Sequence, residues 1–161
     1  MSKNVNIRAV QPNDIAALKR VIDANELFPA EMLDEMLSDY FENVSVDNEH
    51  IKDLWFTYAT DQPVAIAYCA PEKMTMGTWN LYLIAVHPDH QGKGYGTSLL
   101  HYIEQILAEQ GERVLLVETS GLDSFSPTRS FYQQRGYEEE ARIREFYQAG
   151  EDKIVFRKLL A

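Results

Sequence analysis

Three glycines at alternate positions, Gly92-Lys93-Gly94-Tyr95-Gly96, stand between the apolar run Leu81 to Val86 and the series Leu99, Leu100, Ile103, Ile106 and Leu107. A strand, a tight glycine loop and a helix start, in that order, make a device for holding phosphate. Glycine lets a backbone come close to a ligand and adopt positive φ. The N–H groups of a helix's first turn point outward, where the dipole favours an anion. A plain tight turn needs the same glycines, so the spacing alone leaves both uses open. Two well-known phosphate loops do not fit. A P-loop lysine is followed by Ser or Thr, and Lys93 is followed by Gly94. The dinucleotide fingerprint carries glycine at its sixth position, which here is Thr97, and it turns directly out of its strand, whereas five residues separate Val86 from Gly92. His87 and His90 are three apart and far in sequence from His50 and His101, so no metal cluster of three or four ligands is visible. Cys69, the single cysteine, lies in an apolar strand and reads as packed and inert.

The elements that must position this loop follow from periodicity. Asn4 to Val10 alternates and reads as a strand. Asn13 reads as the N-cap of a helix carrying Ile15, Leu18, Val21 and Ile22. A second helix carries Met32, Leu33, Met36, Leu37, Tyr40 and Phe41, a stripe that suits the core or a pocket wall. Asp53 to Thr60 and Val64 to Ala70 form a hairpin about Asp61-Gln62-Pro63, and Thr78 to Val86 is a strand whose second half is apolar throughout, as in a central strand. The glycine loop and its helix follow, with Gly111 as the stop. Val114 to Thr119 is a short strand, and Ser126-Pro127 opens a helix that Gly136 closes. Strands over about Glu138 to Tyr147 and Lys153 to Leu159 meet at Ala149-Gly150. The order βααβββαβαββ predicts a mixed sheet with helices, an α/β or α+β fold in one domain over residues 1–161.

Composition bounds the function. The 161 residues are 45% apolar and 25% charged, ordinary for a globular domain. The longest unbroken apolar stretch, Val64 to Ala70, is far short of the roughly 20 residues that a spanning helix needs. Met1-Ser2-Lys3-Asn4 leads into no apolar run of the signal-peptide kind, so a cytoplasmic protein is expected. Fifteen basic and 25 acidic side chains leave a net charge of −10, which argues against nucleic-acid and anionic-membrane partners and permits a cationic one.

The stretch Leu83-Ile84-Ala85-Val86-His87-Pro88-Asp89-His90-Gln91-Gly92-Lys93-Gly94-Tyr95-Gly96 resembles the acetyl-CoA motif of the Gcn5-related N-acetyltransferase (GNAT) superfamily. In that motif a strand ending in Val-x-Pro precedes Gln/Arg-x-x-Gly-x-Gly/Ala. Arg129-Ser130-Phe131-Tyr132-Gln133-Gln134-Arg135-Gly136-Tyr137 resembles the same family's Arg-x-Phe-Tyr-x-x-x-Gly-Phe/Tyr segment. The two come in the family's order and spacing and cover about Leu81 to Tyr137. The resemblance implies a mixed, mostly antiparallel sheet of six to seven strands with about four helices. That sheet would be splayed between its fourth and fifth strands, Thr78–Val86 and Val114–Thr119.

It also implies a chemistry. The backbone of Ile84, Ala85 and Val86 would bond the pantetheine arm of acetyl-CoA. Gln91, Gly92, Lys93, Gly94, Tyr95, Gly96 and Thr97 would hold its pyrophosphate, with no metal. Lys93, the helix N-terminus and Arg129 or Arg135 would supply a local positive field, against repulsion that is screened within about 8 Å at physiological salt. Tyr132 matches the family tyrosine beside the thioester sulfur and would protonate the departing thiolate. Glu118, at the end of Val114-Leu115-Leu116-Val117, matches the glutamate that serves as base in the ribosomal-protein alanine branch. The activity implied is direct acetyl transfer to a primary amine of a small molecule or protein. Homodimers are common in the family. A non-catalytic acyl-CoA sensor of the same fold is the rival reading, and a different phosphate binder the second.

Two departures stand out. The family's cofactor-touching Asn, seven residues before the tyrosine, is Phe125 here, leaving Ser124, Ser126 or Asp123 to replace its contact. The loop Ser120 to Phe125 is also about two residues longer than in the alanine branch, so a protein-alanine acceptor does not follow. Glu145, Glu151 and Asp152 near the final hairpin would suit a cationic amine, while Glu138-Glu139-Glu140 reads as a solvated run.

Overall fold

The computed structural model describes residues 6–45 and 53–160. Asn4 and Val5, the start of the first expected strand, and His50 lie outside the described residues. In chain order the elements are β1 (Ile7–Ala9), α1 (Ile15–Ala24), α2 (Met32–Ser45), β2 (Leu54–Ala59), β3 (Pro63–Pro71), β4 (Thr78–Val86), α3 (Tyr95–Glu109), β5 (Val114–Ser120), α4 (Ser126–Gln134), β6 (Glu138–Gln148) and β7 (Glu151–Leu159). The strands form one seven-stranded sheet in the order β1-β2-β3-β4-β5-β7-β6. The β1–β2, β2–β3, β5–β7 and β6–β7 pairs are antiparallel, and β4–β5 is parallel. Parallel pairing runs only from Thr78↔Val114 to Leu81↔Val117, while β4 continues to Val86. This is the expected splay. It also changes the reading of β4 as a strand buried on both faces. Trp79, Asn80 and Leu81 are buried, but Tyr82 is exposed and Leu83, Ile84 and Val86 are half-buried, because that half has no β5 neighbour. Among the described residues no helix is long and apolar enough to cross a membrane.

The chain forms two compact units that share β4 and α3: Met1–Ala70 with Leu83–Ile103, and Pro71–Tyr82 with Glu104–Ala161. In the first, Leu18, Val21, Ile22, Leu33, Leu37, Tyr40, Trp55 and Ile66 make the core. The α2 stripe is therefore core, except for Met32, which is exposed. Helix α1 starts at Asp14 and not at Asn13, which sits inside a 3-10 turn over Pro12–Asp14. The Asp14 carboxylate makes no cap bond to α1; it closes the 3-10 turn backwards and is tied on three sides. It accepts from the Gln11 N–H at 2.7 Å and from both terminal nitrogens of Arg8 at 2.7 and 2.8 Å. Burial pushes the Asp14 carboxyl up, but the Arg8 hydrogen bond, the Gln11 N–H and the Arg8 charge carry it below the ordinary carboxylate range.

In the second unit Tyr132 of α4 packs on Tyr137 and Phe156. A polar tie closes the same corner: the Tyr137 hydroxyl donates to Glu104 at 2.6 Å, and Lys158 donates to Glu104 at 3.1 Å and to the Arg135 carbonyl at 2.9 Å. Strand β6 is the sheet edge and is exposed along its whole length, with Glu138-Glu139-Glu140 in solvent as expected. Two register shifts against β7 interrupt its ladder, as edge strands commonly do.

Candidate active site

In the first unit the His87 N–H donates to the Val64 carbonyl at 2.8 Å. Backbone groups alternate sides along a strand, so Ala85 faces β3 as His87 does, and Ile84 and Val86 face away from it. The Val86 carbonyl is already occupied. It accepts from Asn25 Nδ2 at 3.0 Å and from Gln91 Nε2 at 3.1 Å. Asn25 also donates to the Val21 carbonyl at 2.8 Å, and its Oδ1 lies 3.4 Å from Gln91 Nε2. This knot fixes the end of β4 to the end of α1. The groups it leaves facing outward are the N–H and C=O of Ile84 and the N–H of Val86.

A 3-10 turn over Pro88–His90, capped by the Asp89 N–H on His87 Nδ1 at 3.1 Å, leads into the loop. Gly92 and Gly94 take φ of +78° and +82°, and a Cβ on either would meet nothing within 4 Å. Conformation rather than crowding therefore demands glycine at both, and the loop's surface stays open. Helix α3 begins at Tyr95, and the Ser98 N–H already bonds the Gly94 carbonyl. The N–H groups of Tyr95 and Gly96 precede that first helical bond, and Thr97 shares their turn. The Tyr95 ring stacks on Tyr58 of β2 at 4.1 Å, which anchors the helix start. Lys93 is exposed on the loop.

In the second unit Tyr132 is 3% exposed, and burial pushes its phenol well above the ordinary tyrosine range. Its hydroxyl has no hydrogen-bond partner among the described residues. Glu118, at the end of β5, accepts from Asn80 Nδ2 at 3.1 Å and lies 3.4 Å from Lys153 Nζ. Arg129 donates to the Ser120 and Leu122 carbonyls at 2.7 and 2.8 Å and so shapes the loop after β5. Arg135 lies over the Phe131 ring and donates to the Phe131 carbonyl. Both arginines expected to add to the phosphate field are thus engaged in local structure, and Lys93 is the loop's own cation.

A strand end with outward-facing donors, a left-handed glycine pair and an open helix start form one continuous feature of the chain. Residues 47–139 match the acetyltransferase (GNAT) domain model. The chain belongs to the GNAT acetyltransferase family. A structure from Desulfovibrio desulfuricans assigned to that family superposes with a TM-score of 0.86 at 32% identity, covering 96% of this chain and 98% of the other. The ribosomal-protein-S18-alanine N-acetyltransferase of Escherichia coli follows the same fold, with a TM-score of 0.74 at 21% identity over 96% of this chain and 93% of that one. An aminoglycoside 6'-N-acetyltransferase complexed with coenzyme A does so at 0.72 and 16%, over 96% and 97%. No curated protein sequence matches the chain.

Within this GNAT protein the expected site residues divide by unit. Ile84, Ala85, Val86 and Gln91 to Thr97 lie together in the first, and Glu118 and Tyr132 in the second. Gln91 is occupied with the Val86 carbonyl and Asn25, which makes it a brace for the loop. Phe125 is exposed in the 3-10 turn before α4, and Ser120, rather than Ser124 or Ser126, is the serine with a defined polar task. It donates to Glu151 at 2.7 Å and accepts from the Leu122 N–H at 3.1 Å. Asp152 is committed to Arg142 and the Glu145 N–H. A cleft of about 720 Å³ along the hairpin, lined by Arg142, Ile143, Arg144, Glu145 and Asp152, includes neither Glu118 nor Tyr132. Cys69 is fully buried, and burial, with the charge of Asp53, pushes its thiol up to about 12, far from a nucleophile's range. Among the described residues no group of three acidic, histidine or cysteine side chains converges as metal ligands would. Sequence reasoning missed Asn25, Tyr58, Asn80 and Lys153. None sits in a motif, and each earns its contact only through strand pairing or helix packing.

Proposed function

We propose that this protein moves an acetyl group from acetyl-CoA directly to a primary amine. The observation that carries the reading is the loop itself: Gly92 and Gly94 in left-handed conformations, opening α3 beside a strand end with unpaired donors. Backbone N–H groups of the loop and the first turn of α3 hold the pyrophosphate, with Lys93 adding charge. Ile84 and the Val86 N–H pair with the pantetheine arm as an added strand would.

Two proton problems remain. An alkylammonium with a pKa of about 10.4 is neutral in roughly one molecule per thousand at pH 7.4, so the free amine costs about 4 kcal/mol. Glu118 takes that proton, directly or through water. The amine nitrogen attacks the thioester carbonyl carbon, the C–S bond breaks, and its electron pair goes to sulfur. Tyr132 donates a hydrogen bond to that sulfur. Burial keeps the phenol uncharged at every physiological pH, so the donor is always present. Full transfer to a thiolate is uphill, because an ordinary thiol has a pKa of about 8.5. The tyrosine therefore stabilises the leaving sulfur more than it titrates it. The nitrogen's second proton leaves as the C–S bond breaks and reaches the sulfur through water, so the products are the amide, coenzyme A as its thiol and the one proton taken by Glu118. Glu72, Glu118 and Glu151 on the second unit, in a chain of net charge −10, favour an acceptor that arrives positively charged.

Thiol release from acetyl-CoA across amino acids, polyamines, aminoglycosides and peptides tests this. Turnover with at least one amine is expected. Tight acetyl-CoA binding with no turnover on any amine would favour the acyl-CoA sensor, and tighter binding of ATP or NAD would end the reading.

A further inference from the structure

We propose that Lys153 and Asn80 are positioning residues for Glu118: they hold its carboxylate by one oxygen and leave the other to the acceptor. The inference rests on Glu118 acting as base. Glu118 Oε1 is reached from two sides, by Asn80 Nδ2 of β4 at 3.1 Å and by Lys153 Nζ of β7 at 3.4 Å. Oε2 forms no hydrogen bond among the described residues. The strand registers put these side chains on one face. Asn80 pairs with Leu116, Glu118 with Val155, and Ser120 with Lys153.

Each tether is braced in turn. Lys153 is 9% exposed, and its ammonium lies 3.8 Å over the Phe146 ring of β6. Asn80 is 1% exposed and donates also to Glu72 Oε1 at 2.9 Å, which takes the Tyr82 hydroxyl at 3.1 Å. Ionisable groups tied to or facing Glu118 among the described residues include Lys153, Glu72, Tyr82, Glu151 and Tyr147, with Arg157 on the same face of β7 opposite Leu116. The Tyr147 phenol is pushed up by burial and then by the charges of Glu118 and Glu151.

Stability is a poor explanation for this arrangement. A nearly buried ammonium pays desolvation that its partner only offsets, and well-packed apolar residues commonly do as well or better. Among the described residues Asn80 Oδ1 is enclosed without a donor, a further loss that an apolar side chain would avoid. Polar groups kept against local preference gather where a function needs them. What this network achieves is orientation: a carboxylate held from two strands cannot swing, and its free oxygen keeps one direction.

The test is a pair of double-mutant cycles. Thiol release with acetyl-CoA and the best acceptor of the amine panel is measured for K153M and N80L, alone and combined with E118Q, and for K153R, with thermal unfolding of each. K153M and N80L should each lower kcat about tenfold with the acetyl-CoA Kd unchanged, and K153R should recover most of the loss. In the E118Q background neither should lower kcat further, because both act through Glu118. Losses that multiply with E118Q overturn the proposal. If E118Q keeps full kcat, or no amine turns over, the base assignment has failed, and crystal structures of K153M and N80L decide the positioning separately. A Glu118 carboxylate that shifts in them supports it, and one that stays in place sinks it.

Discussion

The loop after β4 and the corner around Glu118 handle charge by opposite means. The loop uses main-chain N–H groups and a helix start, with Lys93 as its one exposed cation. The Glu118 corner uses side chains alone, carried by three strands and the turn before β4: Glu72, Asn80, Glu118 and Lys153. A backbone device is fixed by conformation and needs little beyond glycine at two positions. A side-chain device needs register, because a one-residue slip of any strand would turn its member to the other face. Recognition of a cofactor's shared, anionic part suits the first, and discrimination among amines suits the second.

The comparison can be broken at either end. Tyr132→Phe should lower kcat about a hundredfold while the acetyl-CoA Kd, read by calorimetry, stays at the wild-type value. Equal loss of both would mean that Tyr132 holds the fold or the cofactor. Gly94→Val should raise the acetyl-CoA Kd at least about tenfold. A β-branched residue resists φ of +82°, although nothing crowds its Cβ. Unchanged affinity would remove the loop from the site. Asp14→Asn probes scaffold rather than site, and should cost about 2–3 kcal/mol in urea unfolding. That figure is discounted for an Arg8 side chain that is 39% exposed. Its sign with pH follows from a carboxyl held below the ordinary range in the folded state. The stability is fully present above the unfolded value of about 3.9 and is lost as pH falls through the lower folded value. The gap between wild type and Asp14→Asn should therefore close in acid, and a gap that is constant with pH contradicts the pairing. Asn25→Ala should have the smallest effect, raising the acetyl-CoA Kd about fivefold through the two carbonyl bonds it removes, with kcat at saturation unaltered. An unchanged Kd would make the knot at Val86 a matter of stability alone.

How far each region could be read in advance follows the same division. Gly92, Gly94 and the helix after them are contiguous, so their spacing carried the tight glycine loop and the helix start, and the alternation in β2, β3 and β5 carried the strands. Tyr132 is singled out as a candidate by its Phe-Tyr-x-x-x-Gly-Tyr surroundings and not by any property of a lone tyrosine. Asn13 misled because Pro12–Asp14 form a 3-10 turn ahead of α1, closed by the Asp14 carboxylate on the Gln11 N–H and on Arg8, the last a contact from β1 that no local pattern shows. Arg129 and Arg135 have carbonyl partners that composition cannot reveal. Asn80 reads as an ordinary polar residue in a strand, and only the parallel pairing with β5 makes it a ligand to Glu118.

By itself the sequence determined the order of the elements through periodicity, and its contiguous motifs carried the family resemblance and the glycine loop ahead of α3, because near neighbours can be read without the fold. Only the tertiary structure decided that the Val86 carbonyl is taken by Asn25 and Gln91, and that Glu118 is gripped by one oxygen. Those contacts join residues 38 and 61 positions apart in one case each, and strand register and helix packing, not local preference, bring them within reach.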